Sequence, residues 1–128
     1  MQNLESYNFE RFIWKRKRSY NPFVFINSTL QIVLNTKCVL KYFKKGENEF
    51  AELYFNKEKF TIGIKPFKEK TYSCFKISRR SPKYPGGLIS GAGFFNHYNI
   101  SCETNKRYYP TWNDKEKMFI IKLQKPEE

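Results

Sequence analysis

Leu34-Asn35 followed by Val39, Leu40 and Phe43 recurs 55 positions later as Ile89-Ser90 followed by Phe94, Phe95 and Tyr98. An internal repeat limits the fold more than any single element does, because each unit must bury its apolar face against its neighbour. Asn35 and Ser90 carry short side-chain oxygens, suited to accept a free backbone N–H at a helix start. The i, i+1, i+4 spacing places each apolar trio on one helical face. Gly46 is positioned to close the first helix in a left-handed conformation.

Each predicted helix is followed by an aromatic-rich strand, a charged turn and a second strand. Phe50 to Phe55 and Phe60 to Ile64 flank Asn56-Lys57-Glu58-Lys59, while Arg107 to Trp112 and Met118 to Leu123 flank Asn113-Asp114-Lys115-Glu116-Lys117. The Lys-Glu-Lys triplets lie 58 apart, and both turns have the length of a hairpin loop. Two strand-like runs also precede each helix. These are Phe23 to Ile26 with Leu30 to Leu34, and Thr71 to Ile77 with a short segment near Leu88. Alternation of Leu30, Ile32 and Leu34 with Gln31, Val33 and Asn35 is the period of a half-buried strand. The expected fold is α+β and mostly β: two β-β-α-β-β repeats paired about a pseudo-twofold axis, with two short helices. Neither half is long enough to close a core alone, so residues 1–128 read as one domain. It comprises a basic arm at 1–21, one repeat at 22–68 and a second at 69–125.

This pattern resembles the swapped-hairpin superfamily of AbrB, MazE and SpoVT, duplicated in one chain as in the MraZ family. The residues that carry the resemblance are Phe23-Val24-Phe25-Ile26-Asn27, Leu30-Gln31-Ile32-Val33-Leu34-Asn35, the helix Lys37 to Phe43, and Ala51-Glu52-Leu53-Tyr54-Phe55. The resemblance implies the fold and a transcription-factor role. The family's DNA-contacting residues do not carry over. Asn27-Ser28-Thr29 stand where its basic hairpin would be, Asn35 and Ser90 replace the Pro before the helix, and the Asp-x-x-x-Arg pattern is missing from both halves.

The 128-residue chain holds 24 Lys and Arg against 12 Asp and Glu, a net charge of +12, together with 13 Phe and 9 Tyr. That aromatic content excludes a disordered tail, and the charge favours polyanionic partners. No apolar run approaches a membrane span and no signal-peptide pattern opens the chain. Cys38, Cys74 and Cys102 are an odd number without close pairs, which fits small core residues in a reducing cytoplasm better than a disulfide framework.

Three basic features stand out. Arg11 and Lys15-Arg16-Lys17-Arg18 surround Trp14, an arrangement suited to phosphate contact and base stacking. Lys37, Lys41, Lys44 and Lys45 form a secondary basic helix face. Ser78-Arg79-Arg80-Ser81-Pro82-Lys83-Tyr84-Pro85-Gly86-Gly87 reads as a loop at the second repeat's first hairpin. There Arg79 and Arg80 can each clamp a phosphate with two hydrogen bonds.

Catalytic chemistry is poorly represented. The single His97 lacks metal-ligand partners at any recognised spacing, and Ser90-Gly91-Ala92-Gly93 lacks the Lys-Ser/Thr ending of a phosphate loop. No catalytic residues, metal or cofactor are expected. The expected function is a non-enzymatic cytoplasmic nucleic-acid-binding protein, a DNA-binding regulator with DNA ranked ahead of RNA as partner, with no membrane partner and with homodimerisation open. The alternative is an interaction module (inhibitor, antitoxin or assembly subunit) that binds an acidic protein. A small nuclease using Arg or Lys with His97 and a Tyr ranks last.

Overall fold

The computed structural model describes residues 8–12, 21–43, 49–81 and 84–126, with residues 79–81, 84 and 85 traced as backbone only. Among the described residues there are ten strands and two short helices. The order is β1 Val24–Ile26, β2 Gln31–Leu34, α1 Thr36–Tyr42, β3 Phe50–Asn56, β4 Thr61–Phe67, β5 Phe75–Lys76, β6 Ser78–Ser81, β7 Tyr84–Ser90, α2 Ala92–His97, β8 Lys106–Tyr108, β9 Thr111–Asn113 and β10 Met118–Lys122. The fold is therefore α+β and mostly β. Sheet A runs β6-β7-β2-β1-β8 and sheet B runs β5-β3-β4-β10-β9, with every pairing antiparallel.

Each sheet joins one hairpin from each half at its centre, β2 to β7 in sheet A and β4 to β10 in sheet B. The registers have a regular form. In sheet A, Val33 faces Leu88, 55 residues on, with Ile32↔Ile89 and Leu34↔Gly87 either side. In sheet B, Gly63 faces Ile120, 57 residues on, with Ile62↔Ile121 and Ile64↔Phe119 either side. Exchanging each residue for its partner at that offset returns the same pairs. The two sheet B hairpins also match locally. Asn56 Oδ1 accepts from Lys59 N and Asn113 Oδ1 from Glu116 N, each at 3.0 Å, and each turn then places a left-handed residue, Phe60 (φ 50°) or Lys117 (φ 54°). The structural offset is thus 57. The Lys-Glu-Lys triplets, spaced at 58, occupy non-equivalent places in their turns.

One core serves both sheets. Val24, Ile26, Ile32, Leu34 and Ile89 from sheet A share it with Ile62, Ile64, Phe119 and Ile121 from sheet B and with Cys38, Val39, Phe94 and Phe95 from the helices. The helices pack crosswise. Tyr42 of α1 stacks on Trp112 and Phe119 of the second half, at 5.5 and 4.5 Å between ring centroids. Tyr98, at the end of α2, meets Phe55 of the first half at 5.4 Å.

Several sequence expectations need correction. The Ser78–Gly87 stretch is not a loop; it forms the β6–β7 hairpin, closed by the pair Ser81↔Tyr84. Its glycines answer to packing: a Cβ on Gly87 would sit 2.5 Å from Ile77 Cγ2, and one on Gly86 3.0 Å from the Leu34 carbonyl. Pro85 lies before the segment of β7 that pairs with β2, so its missing N–H costs that ladder nothing. The expected strand Arg107 to Trp112 divides into β8 and β9, which lie in different sheets with Tyr109-Pro110 between them. The expected strand from Thr71 to Ile77 contains only β5, after a turn at Tyr72-Ser73. Asn35 caps α1 as expected, its Oδ1 accepting from Cys38 N at 2.9 Å. Ser90 does not cap α2; it ends β7, and Gly91 takes the cap position without a side-chain bond. Helix α1 stops at Tyr42 because Phe43 turns extended (φ −122°, ψ 122°), so termination precedes Gly46, which lies outside the described residues. Leu40 is 62% exposed and Tyr98 47%. Cys38, rather than Leu40, turns inward beside Val39.

Candidate nucleic-acid interface

Strand alternation decides which side chains sheet A turns away from the core. Val24 and Ile26 of β1, Ile32 and Leu34 of β2, Gly87 and Ile89 of β7, and Tyr108 of β8 are buried. Their neighbours Phe23, Phe25, Gln31, Val33, Leu88, Ser90 and Arg107 therefore lie on the opposite face. The registers align Arg107, Phe25, Val33, Leu88 and Ser78 in one row across five strands. A second row joins Asn27, Gln31 and Ser90, in which Asn27 Nδ2 donates to Gln31 Oε1 at 2.9 Å. Neither helix lies on this face. A Cβ on Gly87 would meet Val39 of α1 on the core side, and one on Gly91 would meet Ile32 and Phe95 of α2 there.

The charge on this sheet has one sign. The strands VFI, QIVL, SRRS, YPGGLIS and KRY contain no Asp or Glu. Their four cations all lie on the two edge strands, Arg79 and Arg80 on β6 and Lys106 and Arg107 on β8. Lys106 is engaged by Glu103, at 3.4 Å, and by Gln124. Arg107 is exposed, and its guanidinium lies 4.3 Å from the ring centroid of Phe23. Among the described residues it has no carboxylate partner. A guanidinium held over a ring face by cation–π attraction still carries N–H groups that can meet an anion.

A second cluster gathers around α1. Lys37 and Lys41 are exposed, Lys41 Nζ lies 5.5 Å from the Tyr42 ring, and Tyr42 stacks on Trp112, which is 38% exposed. Burial raises the Tyr42 hydroxyl pKa. It pushes the Cys38 thiol up to about 12, with Lys41 pulling weakly the other way, so Cys38 is an inert core group and not a nucleophile. Burial likewise raises Cys102 and takes Tyr108 to about 12. Nearby, Lys117 holds the Asp114 carboxyl below its usual range through a 2.8 Å contact, with Trp112 also hydrogen-bonded to it.

The residues named from sequence fall in separate places. Arg79 and Arg80 are on the β6 edge of sheet A, whereas Lys37 and Lys41 belong to the helix that packs on the inner side of the same sheet. Arg11 is exposed. Trp14, Lys15, Arg16, Lys17, Arg18, Lys44, Lys45 and Lys83 lie outside the described residues. The sequence reading missed Arg107 with Phe23 and Phe25. Their signal was the two-residue spacing of the phenylalanines, whereas the contact with Arg107 depends on a strand 82 residues away. His97 is exposed and meets the Tyr98 ring edge-on at 4.7 Å. Among the described residues no three His, Cys, Asp or Glu side chains converge on a metal site, and no helix is long and apolar enough to cross a membrane. In comparison with known proteins, no family model, no curated protein and no solved structure matches the chain.

Proposed function

We propose that this chain is a non-enzymatic nucleic-acid-binding protein whose interface is the outer face of sheet A. The observation that carries the reading is the composition of that sheet: no acid in its strands, arginines on both edge strands, and a half-buried aromatic and aliphatic strip between them. Arginine edges neutralise phosphates and release counterions, which supplies affinity and orientation. The paired registers and the crosswise helix packing support a further part of the reading. The two halves are duplicated swapped-hairpin units joined about a pseudo-twofold axis, as the resemblance to AbrB-like regulators implies, and the role we assign is cytoplasmic regulation through a bound nucleic acid. Arg79→Ala/Arg80→Ala and Arg107→Ala chains should bind a mixed-sequence oligonucleotide more weakly, with a flatter dependence on salt, by fluorescence anisotropy. Unchanged affinity and salt slope in both would remove sheet A from the interface.

A second reading rests on α1. Leu40 is 62% exposed between Lys37 and Lys41, an apolar anchor flanked by cations that suits an acidic protein partner. Stoichiometric co-purification of such a partner, abolished by Leu40→Asp, together with indifference to nucleic acid, would favour it.

A further inference from the structure

Resting on the nucleic-acid reading above, we propose that the ligand of sheet A is single-stranded, with its bases stacked on Phe25 and on the Arg107–Phe23 pair. Phe23, immediately before β1 and bonded to Asn35, and Phe25 within β1 stand two residues apart on one face, so in extended chain their Cα atoms are about 6.7 Å apart. That separation is comparable to the spacing of consecutive bases in an extended single strand. The Arg107 guanidinium covers Phe23 and extends the same platform, because a planar guanidinium accepts a base on its free side. Gln31, in the adjoining polar row, accepts from Asn27 through Oε1. Its amide donors have no protein partner among the described residues, which leaves them free for a base edge.

Duplex DNA fits this face poorly. A duplex turns its ring faces inward and is read by an element that enters a groove. The major groove is about 12 Å wide, whereas five strands at roughly 4.8 Å spacing make a surface about 19 Å across. Neither helix projects from it. A broad, aromatic sheet face whose strands carry no acid suits unpaired bases, whose rings are open to stacking and whose phosphates Arg107 can meet.

The test compares a labelled oligo(dT) 12-mer, an oligo(U) 12-mer and a mixed-sequence 12-bp duplex by anisotropy at one salt concentration, using the full chain and its Phe25→Leu and Arg107→Lys variants. Leucine keeps the apolar volume without the ring, and lysine keeps the charge without the plane. Circular dichroism melts confirm that each variant folds. A single strand should bind at least tenfold more tightly than the duplex. Each variant should lose on the order of tenfold on the single strand, with its salt slope intact and duplex binding unmoved. Equal or tighter duplex binding overturns the single-strand assignment and leaves the nucleic-acid reading standing. Single-strand binding that neither variant weakens overturns the stacking site. Failure of all three probes to bind overturns both.

Discussion

Asparagine side chains complete the turns of this protein where the backbone leaves donors unpaired. Asn35 Oδ1 accepts from both Cys38 N and Phe23 N, at 2.9 and 3.0 Å, while its Nδ2 donates to the Asn21 carbonyl at 3.0 Å. One residue therefore caps α1 and fastens the start of β1. Asn35→Ala should lower unfolding free energy by about 1–2 kcal/mol in urea denaturation, whereas a change within a few tenths would show the cap to be dispensable. Asn56→Ala and Asn113→Ala remove matching bonds in exposed turns, and each should cost about 1 kcal/mol. Asn35 was legible in the sequence because capping is a local contest between one side chain and the backbone next to it. Ser90 has the same chemistry, yet it serves as a strand residue because pairing with Gln31 carries β7 through that position. That decision is made by a segment almost sixty residues away.

At the scale of elements, the hairpin β6–β7 shows how close approach overrides turn propensity. Gly86 and Gly87 look like turn formers, but they sit in a strand where α1, Leu34 and Ile77 leave no room for a side chain. Gly87→Ala should destabilise by about 1–3 kcal/mol through overpacking. A double-mutant cycle with Ile77→Ala should show favourable coupling, because that second change removes the Cγ2 that a Cβ would strike; purely additive costs would point to another cause. Gly63→Ala provides the contrast. Its Cβ would meet the Sδ and Cε of Met118, the mobile end of an unbranched side chain, so its cost should be smaller than that of Gly87→Ala in the same assay. The candidate site divides along the same lines. The alternation of Phe23, Val24, Phe25 and Ile26 could be read from sequence, but the strand that sets Arg107 against them could not.

For the whole molecule, burial of ionisable groups links folding to pH. Cys38 and Tyr108 are both raised to about 12 by burial. Below pH 9 the thiol is protonated in the folded and unfolded states alike. Above it the unfolded chain releases a proton that the folded chain retains, so stability should fall as pH rises from about 9 towards 12. The urea midpoint should decline over that range, and Cys38→Ala should show a shallower decline; identical slopes would mean that the thiol is not coupled to folding. The native thiols Cys38 and Cys102 should also resist alkylation until the chain unfolds. Period-two alternation, the capping residue Asn35 and the repeated hairpins are legible in the sequence because each arises from contacts within a few residues. These features set the mostly β character and the presence of two short helices. Tertiary structure decided which hairpins share a sheet, that a Gly- and Pro-rich stretch is a strand pair, and that Arg107 of β8 is set against Phe23 and Phe25. Such outcomes depend on pairing between distant segments, where burying a common core outweighs local preference.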